Sequence, residues 1–355
     1  MDISEITIRE MRKGEEKQVL QVARKAFRSI EALLISTPKT AMVAEYDGKI
    51  VGGIIYSIIK SDSKTIAYID DAFVDSDYQG LGIGKRLYTE TFNCLWQRNC
   101  DVLTAMVKDD NVASWKLVED NHFKRVSYNQ IIKVIGISAL IKHFIKTPFM
   151  IAVGMDFYMS DKENMVKEKN SGLSQFLFFF LVNIILLLPL WIKLLLNAAN
   201  DFLLSFLAYL TILLLFAGCR CTGKIIGKNE WKFRLNNGGV FLPFLLSLFG
   251  NAFLMNGNWY PEKYENTDKF RKKLAVPELI KWFVFALLPL FGLIQNQYCQ
   301  TLSSFSSIYL MFMMIPIYPF ESLGAGRIYR YNKKLWLILF IITAAELAAV
   351  FRFVN

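Results

Sequence analysis

From Leu173 to the C-terminus the chain is dominated by long apolar stretches, and these limit its fold more than any other feature. Five of them, Leu173 to Ala198, Phe202 to Gly218, Val276 to Ile294, Leu302 to Phe320 and Leu335 to Phe351, approach the ~20 residues that a helix needs to cross a bilayer. Val240 to Met255 is a sixth, weaker candidate, interrupted by Pro243, Gly250 and Asn251. Residues 173–355 are therefore expected to form an all-α polytopic membrane domain. A linker at 162–172 would join it to residues 1–161, which have the interspersed charge of a soluble protein.

Charge says how the apolar stretches are threaded. The chain carries 41 Lys+Arg against 31 Asp+Glu, a net +10, split 24 against 23 through residue 170 and 17 against 8 beyond it. The excess thus flanks the apolar stretches, where membrane lipids with anionic headgroups are the expected counter-charge, and no nucleic acid partner is indicated. If 240–255 does not cross, Arg220 to Arg234, Lys263 to Lys273 and Arg327 to Lys334 share one side, with uncharged Gln295 to Thr301 on the other. If it crosses, the second and third basic segments are forced outside. The positive-inside rule favours about five transmembrane helices plus one re-entrant segment at 240–255.

The N-terminus, MDISEITIREMRKGEE, has no apolar signal core, so the first half of this integral membrane protein is expected to be cytoplasmic. Cys94, Cys100, Cys219, Cys221 and Cys299 form no CxxC pair and no disulfide framework, which suits a reducing compartment.

Within the first half, Thr40 to Lys60 holds two apolar runs joined by Asp47-Gly48, a type I′ hairpin signal. A further strand, Thr65 to Val74, runs into Gln79-Gly80-Leu81-Gly82-Ile83-Gly84-Lys85 and then a helical pattern. Glycines at this spacing let backbone approach a ligand and leave N–H groups free at a helix N-terminus, which together suit a pyrophosphate. The Rossmann pattern would need Gly at Lys85, and Walker A would need Gly at Gln79 and Ser or Thr at Arg86.

The pattern Gln-x-x-Gly-x-Gly after a strand resembles the acetyl-CoA loop of the GCN5-related N-acetyltransferase (GNAT) family. Asn111-Val112-Ala113-Ser114-Trp115-Lys116-Leu117, followed by Phe123, resembles the family's second cofactor-flanking stretch. The resemblance covers residues from about 5 to 161. It implies an α+β fold, a mixed central sheet with helices on both faces, and acetyl-CoA as cosubstrate with no metal. Phe73, Val74, Gln79, Gly80, Leu81, Gly82, Ile83, Gly84, Lys85, Asn111 and Ser114 would then bind the cofactor, with the end of the 69–74 strand along the pantetheine arm and a backbone N–H near Val74 at the oxyanion.

Direct attack by an amine acceptor calls for a general base, and Asp70 and Asp71 are the candidates. As neighbours in a regular strand they are expected on opposite faces, with only one at the site. Two positions depart from the family: Val118 stands where many members carry a Tyr acid, and His122 where a Gly usually precedes Phe123. His122 is an alternative proton donor.

Residues 131–149 are expected to form an amphipathic, basic inserted helix with Ile137, Leu140, Ile141, Phe144 and Ile145 on one face, and Met150 to Met159 the last strand. The acceptor would then be a membrane-embedded or lipid-linked amine.

In the second half, Ile315-Pro316-Ile317-Tyr318-Pro319-Phe320-Glu321 with Gly326-Arg327 resembles a segment of site-2-protease-type intramembrane metalloproteases. Leu213 to Gly227 falls roughly where that family's metal-binding helix would lie. It contains no histidine, and the chain's only two are His122 and His143, so protease activity is not expected. Glu346, within the last apolar stretch, is an isolated candidate for a functional charge. The reading is a membrane-anchored N-acetyltransferase, with an acetyl-CoA-binding sensor of the membrane module as the alternative.

Overall fold

The computed structural model describes residues 5–27, 30–61, 64–108, 111–146, 154–162, 166–167, 172–228, 230–261 and 267–354. The chain divides into two compact units, Met1–Pro148 with Asp156–Lys169, and Phe149–Met155 with Asn170–Asn355.

The first unit is built on a seven-stranded sheet. Its elements are β1 (Thr7–Glu10), α1 (Glu16–Phe27), α2 (Ile30–Leu34), β2 (Ala41–Tyr46), β3 (Lys49–Lys60), β4 (Thr65–Val74), α3 (Ile83–Gln97), β5 (Val102–Lys108), α4 (Val112–Asp120), β6 (Lys124–Arg125), α5 (Tyr128–Lys146) and β7 (Met155–Asp161). The strand order is β1-β2-β3-β4-β5-β7-β6. β1 to β4 pair antiparallel in sequence, β4 and β5 pair parallel, and β6 and β7 pair antiparallel. The sheet is thus mixed.

Local chemistry explains the hairpin. Asp47 and Gly48 have φ of +49° and +70°, the two positive values a type I′ turn needs, and this pair accepts them at low cost. Helices cover both faces. On one, α3 places Ile83, Leu87, Phe92 and Leu95 at helical spacing against Ile54, Ala67, Ile69 and Leu103. On the other, Val19 and Ala23 of α1, one turn apart, meet Val43, Ile55 and Phe73.

Helix α5 lies on this second face, but not as its sequence pattern suggests. It begins at Tyr128 rather than Ile131 and is kinked at Gly136 (φ +79°). The expected single apolar face is split: Leu140 is buried with Ala139 and His143, Phe144 is half-buried, and Ile137, Ile141 and Ile145 are exposed. His143 is fully buried between the rings of Tyr68 and Phe157, with Nε2 2.9 Å from Thr104 Oγ1. A helix that is apolar on several sides buries the side its partner selects. The last strand begins at Met155, not Met150; residues 147–153 and most of the linker lie outside the described residues.

The second unit comprises α6 (Leu173–Leu186), α7 (Leu188–Asn197), α8 (Ala199–Ile226), β8 (Lys232–Leu235), α9 (Phe241–Leu248), β9 (Gly257–Tyr260), α10 (Asp268–Leu287), α11 (Gln297–Met313), α12 (Ala325–Tyr331) and α13 (Lys333–Val354). β8 and β9 form an antiparallel pair.

Among the described residues three segments, Asp201–Ile226, Asp268–Leu293 and Lys333–Arg352, are long and apolar enough to cross a membrane. α6 and α7 would make a fourth if their 43° bend lies within one crossing. The bend falls at Leu187, just before Pro189, whose ring blocks continuation of the helix. The expected stretch Leu302 to Phe320 is helical only to Met313, ahead of Pro316 and Pro319, so it is not one span-length helix. Helix α9, with eight residues, is too short to cross, and Ala252–Met255 after it are buried without regular structure.

Aromatic rings and one buried ion cluster tie these helices together. Arg220 of α8 donates from Nη1 to Glu278 Oε1 at 2.7 Å and from Nη2 to Asn256 Oδ1 at 2.8 Å. Lys281 Nζ lies 2.8 Å from Glu278 Oε2, and Asn258 Nδ2 donates to Glu278 Oε1 at 2.7 Å. Phe216 stacks beneath Arg220 at 4.7 Å. Removing one member of such a buried network leaves an uncompensated charge, typically costing about 3–5 kcal/mol. Among the described residues no three His, Cys, Asp or Glu side chains gather as a metal-ligand set.

Candidate active site

The site begins where two strands part. The parallel ladder between β4 and β5 runs only from Ile66–Val102 to Ile69–Ala105, although β4 continues to Val74 and β5 to Lys108. Beyond Ile69 the edge of β4 that faced β5 leaves this ladder, and its backbone can accept an extended ligand arm.

At that point β4 also carries a bulge. Ile55 pairs with Asp71 and Tyr56 with Ile69, so Asp70 is the extra residue. The packing records the slip: Ala67 and Ile69 meet the α3-side core, as do Ala72 and Val74, a step of three between Ile69 and Ala72. Asp70 and Asp71 therefore both fall on the other face, with Tyr68 and Phe73. This corrects the expectation that adjacent residues must face oppositely.

Asp70 is exposed to solvent on one side yet has enough protein around it to lose part of its solvation. This desolvation raises its carboxyl above the ordinary carboxylate range, and the Lys146 ammonium of α5 offsets the effect only in part. A carboxylate tuned this way is a better proton acceptor near neutral pH. His143 is not a competitor: burial pushes its imidazole down to about 4, so it is neutral and packed against Tyr68 and Phe157.

The loop after β4 is held by residues that sequence reasoning did not single out. Lys25 of α1 bridges Asp75 at 2.8 Å and Asp77 at 2.9 Å, and Asp75 Oδ1 accepts the Asp77 N–H that starts a short 3-10 turn at Ser76–Tyr78. Gln79, expected at the cofactor, donates from Nε2 to Val74 O at 3.0 Å and so secures the strand end. Gly80 and Gly82 have φ of +81° and +78°, and a Cβ at either would meet no atom within 4 Å. Both glycines thus serve conformation and leave open space above the backbone.

Gly82 is the N-cap of α3 and supplies no side-chain cap, so the first N–H groups of this fifteen-residue helix point out uncapped. Gly84 faces inward, its Cβ position 3.8 Å from Leu117 Cδ1 of α4 and 3.9 Å from Val74 Cγ2. Lys85 is exposed, Leu81 is half-buried, and Ile83 is core. Phe73 is also core beneath α1, which leaves only its backbone for a ligand. Asn111 caps α4, its Oδ1 accepting from Ser114 N at 3.2 Å, so the Asn111 side chain is committed to that helix end and Ser114 contributes its backbone N–H to it. Val118 is fully buried among α3 residues. His122 holds φ +66° at an exposed turn, a left-handed conformation that accounts for the Gly usual there in the resembled family.

An uncapped helix N-terminus behind left-handed glycines, beside a parted strand pair, fits a pyrophosphate with an extended arm. Residues 3–123 match the acetyltransferase (GNAT) family. They form a GNAT acetyltransferase domain.

The matched residues are about a third of the chain. Solved structures similar in part include the ribosomal-protein-S18-alanine N-acetyltransferase of Escherichia coli, at 16% identity and TM-score 0.31, over 46% of this chain and 99% of that one. Arabidopsis thaliana Naa50, in complex with the bisubstrate analogue CoA-Ac-MVNAL, is 15% identical over 44% of this chain and 99% of its own, with TM-score 0.33. The PaiA N-acetyltransferase of Thermoplasma acidophilum, in complex with coenzyme A, gives 15%, 44%, 98% and 0.31. Identities and scores this low add nothing to the assignment, which stands on the family match. No curated protein matches the chain. The acetyltransferase domain takes acetyl-CoA as cosubstrate, and its glycine loop and open helix end are the parts suited to hold it.

Proposed function

We propose that this chain is a membrane-anchored N-acetyltransferase that moves an acetyl group from acetyl-CoA to an amine held near the cytoplasmic face of the membrane. The observation that carries the reading is the parting of β4 from β5 beside the bulge that turns Asp70 and Asp71 to one face. Asp70 would take the proton from the incoming ammonium. The free amine then attacks the thioester carbonyl, forming the C–N bond; as the C–S bond breaks, the nitrogen releases its second proton and the departing CoA thiolate takes it up, leaving a neutral amide and CoA thiol. A backbone N–H near Val74 is the candidate donor to the oxyanion. No side chain forms a covalent intermediate. The test is CoA release by the purified full chain with a panel of amines. Turnover with at least one amine is expected; acetyl-CoA binding without release for any amine would favour the sensor reading, which Val118, buried where a Tyr acid often stands, independently supports.

The anchoring is read from the helices. Counting α6 with α7, then α8, α10 and α13, gives four crossings and would leave Arg327, Arg330, Lys333 and Lys334 outside. Including α11, whose 17 residues span about 25 Å, restores the basic loops to one side. Reporters at Asn229, Asn266 and Asn332 are thus expected to be cytoplasmic and one at Asn296 external. An external Asn332 would reduce the crossings to four, and opposite sides for Asn229 and Asn266 would mean that 240–255 crosses.

A further inference from the structure

Helix α5 keeps an apolar surface that its own unit does not bury. Beyond Gly136, the helix turns Ala139, Leu140 and His143 onto the sheet and leaves Ile137, Ile141 and Ile145 outside at 61%, 53% and 79% exposure. At four-residue spacing these three form one continuous stripe. Single exposed apolar side chains are ordinary; three isoleucines in register on one helix are a surface in want of a partner.

The charges beside the stripe say which partner. From Tyr128 to Lys146 the helix has Lys133, Lys142 and Lys146 and no Asp or Glu. Lys142 and Lys146 each follow a stripe isoleucine by one position, and both are exposed. Their amino groups reach toward Lys60 O at 3.0 Å and Ile58 O at 3.5 Å, which holds two cations along one side of the stripe. An apolar strip with a cationic rim complements a surface that is apolar in depth and anionic at its edge, the acyl-to-headgroup boundary of an anionic bilayer. Among the described residues the same chain has three segments long and apolar enough to cross a bilayer, which on the membrane reading of the second unit would tether such a surface to it.

We propose that α5 docks on an anionic lipid leaflet, with Ile137, Ile141 and Ile145 entering the acyl boundary and Lys142 and Lys146 meeting headgroup phosphates. Helix α5 and Asp70 share a face of the sheet, so docking holds the acceptor side of the domain at the bilayer and selects an amine presented at headgroup level. The inference rests on the membrane reading of the second unit and is independent of acetyl transfer.

The test reconstitutes the full chain in phosphatidylglycerol vesicles with photoreactive benzoylphenylalanine at Ile141, or at exposed Glu90 of α3 as control. Lipid adducts at position 141 are expected to exceed those at 90 by about ten-fold. They should fall about five-fold for each of Lys142→Gln and Lys146→Gln, and about 25-fold in phosphatidylcholine, where both contributions are lost. Gly82→Asp, which acts on the cofactor site, should leave them unchanged. Adducts at 141 mainly to protein, from this chain or a second copy, would overturn the proposal and mark a protein interface. Equal yields at 141 and 90 would also overturn it, and a chain that does not enter vesicles would overturn the membrane reading with it.

Discussion

Gly82→Asp is expected to lower acetyl-CoA affinity by about 100-fold or more, which corresponds to roughly 2.7 kcal/mol. Gly82 is the N-cap of α3 and offers no side chain to the N–H groups behind it. Asp is a favoured N-cap residue because its carboxylate accepts these same N–H bonds. The substitution would therefore place a resident anion on the donors a pyrophosphate requires, and repel the incoming one. Gly82→Ala separates charge from strain: its Cβ meets nothing within 4 Å, and its φ of +78° costs it the left-handed penalty alone. Titration calorimetry on the full chain in detergent should show Ala much nearer wild type than Asp. Wild-type affinity in the Asp variant would remove the loop from the cofactor site.

Asp70→Asn should lower kcat by about 10²- to 10⁴-fold, the usual contribution of a positioned general base. The sign of the pH effect follows from the role. A base works deprotonated, so activity rises with pH as Asp70 loses its proton. Because desolvation lifts Asp70 above its ordinary 3.8, that rise should lie at higher pH than for a free aspartate. In Asp70→Asn the rise should vanish. Asp71→Asn shares the face through the bulge and should also slow turnover, but should keep the acidic limb. An acidic limb that survives unchanged in Asp70→Asn would assign the proton to water or to another group.

Much of the loop was legible because its conformation is set locally. Gly80 and Gly82 adopt left-handed φ values that glycine accepts freely, and Asp47-Gly48 makes the expected turn, since only a few residue types accept such φ values cheaply. The hydrogen bonds of Gln79 and Asn111 were less legible: a motif states which residue types recur, while these side chains bond Val74 O and the Ser114 N–H. The adjacent acidic pair in a strand was the one available sign of a bulge, since two neighbouring carboxylates sit poorly in a ladder buried on both faces.

The sequence by itself determined a half of interspersed charge with a glycine-rich loop and an apolar half with helices of near-span length, because φ preference and hydrophobic run length are properties of short segments. Tertiary structure decided everything that depends on a partner distant in the chain. The slip between β3 and β4 turned Asp70 and Asp71 to one face, α5 buried Leu140 and His143 and left its isoleucines outside, and Arg220 found Glu278 across 58 positions. A strand's register, a helix's buried side and a charge's counter-ion are each chosen by the opposing surface, and that surface exists only once the chain has folded.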